Sequence, residues 1–330
     1  MMNLQKTFLP YFFGNKKGMS FDFLRDKYHQ EIVLFSKQEL KLPDQLLFHL
    51  IQGHLSEFVS DLLSKQTQLT QFEIYHLFNF QHYFSEKLQK KMHLHFNEKE
   101  QFYKKASQAP ILSSEEVNDL FKVKTGTTTI YALLNQDRSR PGIMLIKNEY
   151  GKFLEKKGRV WNRPILGESS RGLPFQYSNG RTPLGIYRTQ SVMPNADYFE
   201  EFGRFRRVKL EFLKNQEESK AFLPLNHHRL HWWKQSHVAA DLGRSLLRIH
   251  GSGRLNKNPF SSHFPLVSSS GCLTLSELNL PFCKIFHQQD FLNAHLWGQG
   301  LDQSYENELK IHGLLYVVET SGKYQTLEII

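Results

Sequence analysis

Two residues of this chain have the types and the local setting for nucleophilic acyl chemistry. His250 ends the short apolar run Leu246-Leu247-Arg248-Ile249 and is followed by Gly251-Ser252-Gly253. Cys272 opens the run Cys272-Leu273-Thr274-Leu275 and is preceded by Ser268-Ser269-Ser270-Gly271. A thiol attacks as the thiolate, so it needs a neighbour that favours that form or takes up the proton, and an imidazole does both. Glycine directly before the thiol leaves room for a tight turn or a close substrate approach. The backbone N–H groups of Cys272 and of its turn neighbours would then face a developing oxyanion. On residue types alone two readings stand: a nucleophile with its base, or a buried structural cysteine with a distant histidine.

Other reactive side chains have plainer explanations. His227, His228 and His231 have a spacing that suits metal ligation on a helix, but no carboxylate or cysteine stands near them, so no metal site is expected. The adjacent Trp232-Trp233 reads as a packed or substrate-contacting surface. Cys283 lies in the apolar run Leu280-Pro281-Phe282-Cys283 and reads as core. With only two cysteines, a disulfide framework is excluded.

The elements that must position these residues fall into two regions. Between residues 20 and 120, apolar residues recur at three- and four-residue spacing, as in Leu46, Leu47, Leu50, Ile51, Phe58, Val59, Leu62 and Leu63, and again from Phe72 to Leu88. Ser113 followed by Glu116 ahead of Val117, Leu120 and Phe121 is a capping-box signature. From Gly142 onward the pattern changes to short β-type runs separated by turns: 143–146, 158–161, 164–167, 182–187, 208–213, 246–250 and 313–319. The expected fold is α+β: a helical region over 1–130 of unknown role, then a mainly antiparallel β domain over 131–330 with an insertion near 188–242.

At 330 residues the chain is long enough for two cores. The net charge of +10 favours an acidic partner, while the basic residues are scattered apart from Arg204, Arg206, Arg207 and Lys209, and no nucleic-acid-binding pattern is present. No apolar run reaches the ~18 residues of a membrane span, and the first residues do not read as a signal peptide.

Taken together, His250-Gly251 and Ser269-x-Gly271-Cys272-Leu273 resemble the signature of the L,D-transpeptidase catalytic domain, the YkuD-like family. Asn179-Gly180-Arg181-Thr182-Pro183-Leu184-Gly185 resembles that family's Thr-Pro-x-Gly segment, and 143–161 its opening hairpin, so the likeness spans roughly residues 140–320. Ser270 stands where the family usually has His or Asn, and Thr274 where it usually has Arg or Asn.

The resemblance implies that Cys272 is the nucleophile and His250 its base, supported by Gly271, Ser270, Ser269 and Gly251, with Ser252, Trp232 and Trp233 on the substrate. It implies attack on the carbonyl between the L-centre of meso-diaminopimelate and the terminal D-Ala of a peptidoglycan tetrapeptide. A thioester forms and passes to an amine or to water, with no metal or organic cofactor. The implied partner is a peptidoglycan stem peptide rather than nucleic acid, and the implied place is the periplasm or cell envelope. The N-terminal region is the candidate surface for a protein partner. Two other readings are a non-catalytic envelope scaffold on a decayed domain, and the same chemistry delivered as a secreted effector.

Overall fold

The structure, a computed structural model, describes residues 102–176, 179–194, 198–254, 256–280, 283–322, 324 and 327. The helices expected from Leu46–Leu63 and Phe72–Leu88 lie outside the described residues, as does the side chain of Cys283. Everything that follows lies in the unit Lys105–Ile330, one of two into which the chain divides.

Helix α1, Ser114–Phe121, begins with the expected capping box: the Glu116 N–H donates to Ser113 Oγ at 3.2 Å and the Ser113 N–H to Glu116 Oε2 at 2.7 Å. Its buried Val117, Leu120 and Phe121 share one face, and the Phe121 ring meets Tyr131 and Phe153 edge-on at centroid separations of 4.9 and 5.0 Å.

Strands β1 (Thr129–Asn135) and β12 (His312–Thr320) run parallel at the middle of the main sheet, in register from Thr129 opposite Leu314 to Asn135 opposite Thr320. Both are buried on successive residues because both sheet faces are covered, so neither shows the alternation of a half-exposed strand. Beyond β12 come β6 (Gly185–Val192), β7 (Val208–Phe212), β8 (Arg248–His250) and β9 (Leu273–Thr274); beyond β1 come β2 (Gly142–Lys147) and β5 (Asn162–Ile165). Two short hairpins, β3 with β4 (Glu155–Lys156, Arg159–Val160) and β10 with β11 (Glu277–Leu280, Cys283–Phe286), stand apart from this eight-stranded sheet.

Pairing in the main sheet is antiparallel except for β1–β12 and β8–β9. The two ends then meet. Leu166, just after β5, exchanges both backbone hydrogen bonds with Thr274 of β9, at 3.0 and 2.8 Å. This bridge nearly closes the sheet into a barrel, and the segment before Cys272 runs along the seam.

The mixed α and β, mostly antiparallel fold agrees with the sequence reading. Strand β1 falls in the stretch taken as the boundary, and β6 starts later and runs further than 182–187. Strand β7 crosses the expected insertion and splits it. The part before β7 carries α2 (Phe199–Phe202); the part after carries α3 (Gln216–Ala221) and α4 (Lys234–Asp241). The last helix, α5 (His287–Gly298), packs against β2. No described helix is long and apolar enough to cross a membrane.

Candidate active site

The register of β8 and β9 places the two reactive residues. Ile249 pairs with Leu273 and His250 with Thr274 in parallel. Alternation sends Ile249 and Leu273, both fully buried, into the core. Arg248 and His250 therefore share the other face with Cys272 and Thr274, and all four line one cleft of about 310 Å³. Ser170, Asn179, Glu201, Phe202, Ser252, Arg254 and the 267–270 segment complete much of its wall.

The turn carrying the thiol is held from below. Thr182, fully buried, donates its hydroxyl to the Gly271 carbonyl at 3.0 Å, and Ser269 Oγ donates to the Cys272 carbonyl at 2.7 Å. Gly271 has φ +107°, a conformation that side chains avoid, and an added Cβ would lie 2.2 Å from Arg244 Nη2. Arg244 is buried there, its guanidinium donating to the carbonyls of Phe175, Arg181 and Gly180. Glycine before the cysteine thus makes room for an arginine behind the thiol as well as permitting the turn.

His250 is oriented through Gly251. Its Nδ1–H donates to the Gly251 carbonyl, which leaves Nε2 as the basic atom. The Phe202 ring of α2 stands edge-on to the imidazole, 5.2 Å between centroids. Gly251 is also a close approach: a Cβ there would fall 1.8 Å from Glu277 Oε1.

Burial pushes the Cys272 thiol up, against the Arg248 N–H, which hydrogen-bonds the sulfur, and the guanidinium groups of Arg248, Arg244 and Arg207, which favour the thiolate. Burial pushes His250 down to about 4, and Arg248 and Arg207 add to that. The resting pair is therefore neutral thiol and neutral imidazole, not a preformed thiolate–imidazolium pair, so any attack by this sulfur would have to transfer its proton at the same time.

Of the residues singled out in the sequence, the structure brings together His250, Cys272, Gly251, Ser252, Ser269, Ser270 and Gly271. Ser270 is exposed on the cleft, whereas the Ser269 hydroxyl is engaged by the turn. Trp232 and Trp233 are a correction. Both are fully buried in the core, their indole N–H groups donating to His227 Nδ1 at 3.2 Å and to the His227 carbonyl at 3.1 Å, and neither lines the cleft. The basic cluster also separates: Arg206 turns to Tyr305 and Glu308, and Lys209 pairs with Glu211 at 3.8 Å.

Sequence reasoning missed Arg248, Arg244, Phe202 and Glu277. Arg248 alone carried a signal, since a residue two before the histidine on a strand must share its face.

Among the described residues, burial lowers several histidines, which should make the fold acid-labile. His250, His237 and His295 are each held down to about 4 by burial. His237 Nε2 meets Ser219 Oγ at 2.8 Å, and His295 Nε2 bonds the His312 carbonyl at 3.1 Å. The unfolded chain binds protons at these groups first, so their stabilisation is full above the ordinary histidine range and falls as pH drops through it toward 4. Burial raises Glu277 and Glu308, which acts in the opposite sense as pH falls through their raised values toward the ordinary carboxylate range. Urea unfolding should show a loss of roughly 1–2 kcal/mol per buried histidine between about pH 7 and pH 5. An unchanged midpoint would contradict the assignment of neutral buried imidazoles.

Searches among family models, curated proteins and solved structures find no match to this chain.

Proposed function

We propose that the protein is a peptidoglycan L,D-transpeptidase or L,D-carboxypeptidase that works through a thioester on Cys272. The observation that carries this reading is the cleft in which Cys272 and His250 share one sheet face, with the imidazole Nε2 left free by the Gly251 carbonyl. The ordered motif residues support it, because each has a mechanical part: Thr182 pins the Gly271 carbonyl, Ser269 pins that of Cys272, and Gly251 orients the base.

In the proposed reaction the thiol sulfur attacks the carbonyl between the L-centre of meso-diaminopimelate and the terminal D-Ala. His250 Nε2 takes the thiol proton and returns it to the leaving amine of D-Ala. The oxyanion is met by backbone N–H groups of the 270–272 turn. An amine acceptor then gives a 3,3-crosslink or an exchanged D-amino acid, and water gives the tripeptide. The site of action for this chemistry is the cell envelope. Muropeptide profiling tests the reading: purified tetrapeptide stems incubated with the full-length chain should lose D-Ala, and their persistence would refute it.

The second reading, a non-catalytic envelope-binding scaffold, takes its support from Ser270 and Thr274 in place of the usual motif residues. A thiol-reactive β-lactam separates the two, because a scaffold forms no covalent adduct at Cys272.

A further inference from the structure

The cleft beside Cys272 is charged in an unbalanced way. Among its described lining residues the one carboxylate is Glu201, and Arg254 engages it at 2.9 Å. Arg248 remains. Its Nε is buried without a hydrogen-bond partner, and no described carboxylate forms an ion pair with it. A guanidinium presents donors in a rigid fork and cannot shed its proton to escape burial, so an unpaired one lining a cleft calls for an anion.

The position of Arg248 is set by the fold. It lies two residues before His250 on β8 and, by continuation of the β8–β9 register, opposite Cys272. Its backbone N–H bonds the sulfur, and its guanidinium carbon lies 5.6 Å from the centre of the Phe202 ring, which stacks over the same cleft. Of the other two cations near the thiol, Arg244 is committed to three backbone carbonyls and Arg207 donates to the Pro194 carbonyl at 3.2 Å, and neither lines the cleft, which leaves Arg248 as the group that can answer a ligand.

We infer that Arg248 forms an anion subsite that binds a substrate carboxylate next to the carbonyl attacked by Cys272. The ligand class is a peptide with a free carboxylate within one residue of the scissile amide. The amide rests on the acyl-transfer reading above; the carboxylate rests on Arg248 alone. Thr274 lines the same cleft from β9, but its hydroxyl donates to the Val267 carbonyl at 2.7 Å and does not compete with Arg248 for a ligand.

Alkylation of the thiol tests this without any turnover. Iodoacetate and iodoacetamide form the same S–C bond with loss of iodide and differ only in the carboxylate. Their second-order rates at Cys272 would be read by peptide mass mapping of the full-length chain, with Cys272→Ala to assign the labelled site. The iodoacetate-to-iodoacetamide rate ratio should fall about tenfold in Arg248→Met, equivalent to ~1.4 kcal/mol. Arg248→Lys should restore part of it, and added salt should lower it in the native protein. A ratio unchanged in Arg248→Met overturns the subsite.

If that variant does not fold, the native protein decides. An acetylated dipeptide with a free C-terminal carboxylate should protect Cys272 from iodoacetamide, and its C-terminal amide should not; equal protection by both overturns the proposal. An anion preference without muropeptide turnover would leave the subsite standing and remove the acyl-transfer reading. Turnover without an anion preference would do the reverse.

Discussion

Cys272→Ala should abolish D-Ala release from tetrapeptide stems, lowering the rate by at least about a thousandfold, because the variant has no atom to carry the acyl group. The fold should survive. The thiol is one buried side chain at the barrel seam, and its neighbours Leu273 and Thr274 keep their pairing with Ile249 and His250. The change therefore separates chemistry from folding: the thermal midpoint should stay close to the native value while the rate falls to background. Cys272→Ser should do nearly the same. A hydroxyl is far harder to deprotonate than a thiol, and His250, held down to about 4, is a weak base for it. Release that continues in either variant would place the nucleophile elsewhere.

Gly271→Ala should be the most damaging single-methyl change in the site. The backbone there has φ +107°, and the new Cβ would lie 2.2 Å from Arg244 Nη2 and 2.5 Å from the Gly180 carbonyl oxygen. The second contact is backbone, so it cannot be relieved by turning a side chain. Backbone strain and overlap together should cost about 2–4 kcal/mol. The thermal midpoint should drop by roughly 5–15 °C for a unit of this size. Arg244 would be driven off its three carbonyls and away from Cys272, so thiol alkylation should slow even in the fraction that stays folded. A midpoint within a degree of the native value would show that the turn is looser than its hydrogen bonds indicate.

Much of the fold was legible because short apolar runs bounded by turn residues mark strands even where both faces are buried. Strands β2, β7 and β12 appear where β-type runs stand between turns, and α1 where Ser113 and Glu116 frame an apolar face. Strand β1 was missed for a physical reason. Thr129–Asn135 lacks alternation, as β12 does, and unlike β12 it stood in a stretch already read as a boundary between two regions. Its partner β12 is nearly two hundred residues away in sequence, a pairing that no local pattern encodes.

The candidate site was legible at its two reactive atoms and not around them. Cys272, Gly271, His250 and Gly251 carry distinctive residue types in order. Phe202 arrives from a four-residue helix inside a segment with little pattern, and Arg244 reaches the thiol through space vacated by a glycine. Trp232 and Trp233 misled because two large amphipathic rings near three histidines suit a binding surface and a core equally well. Burial, with His227 as their hydrogen-bond partner, decides for the core.

The most direct test of the central claim is the mass of the intact protein during turnover. With purified tetrapeptide muropeptide and rapid acid quenching, a fraction of the chain should gain the mass of the acylated tripeptide stem. Peptide mapping should place that mass on the fragment containing Cys272, and hydroxylamine should remove it as expected of a thioester. Quenched protein that releases D-Ala without ever carrying the adduct, or carries it on another residue, would contradict the account.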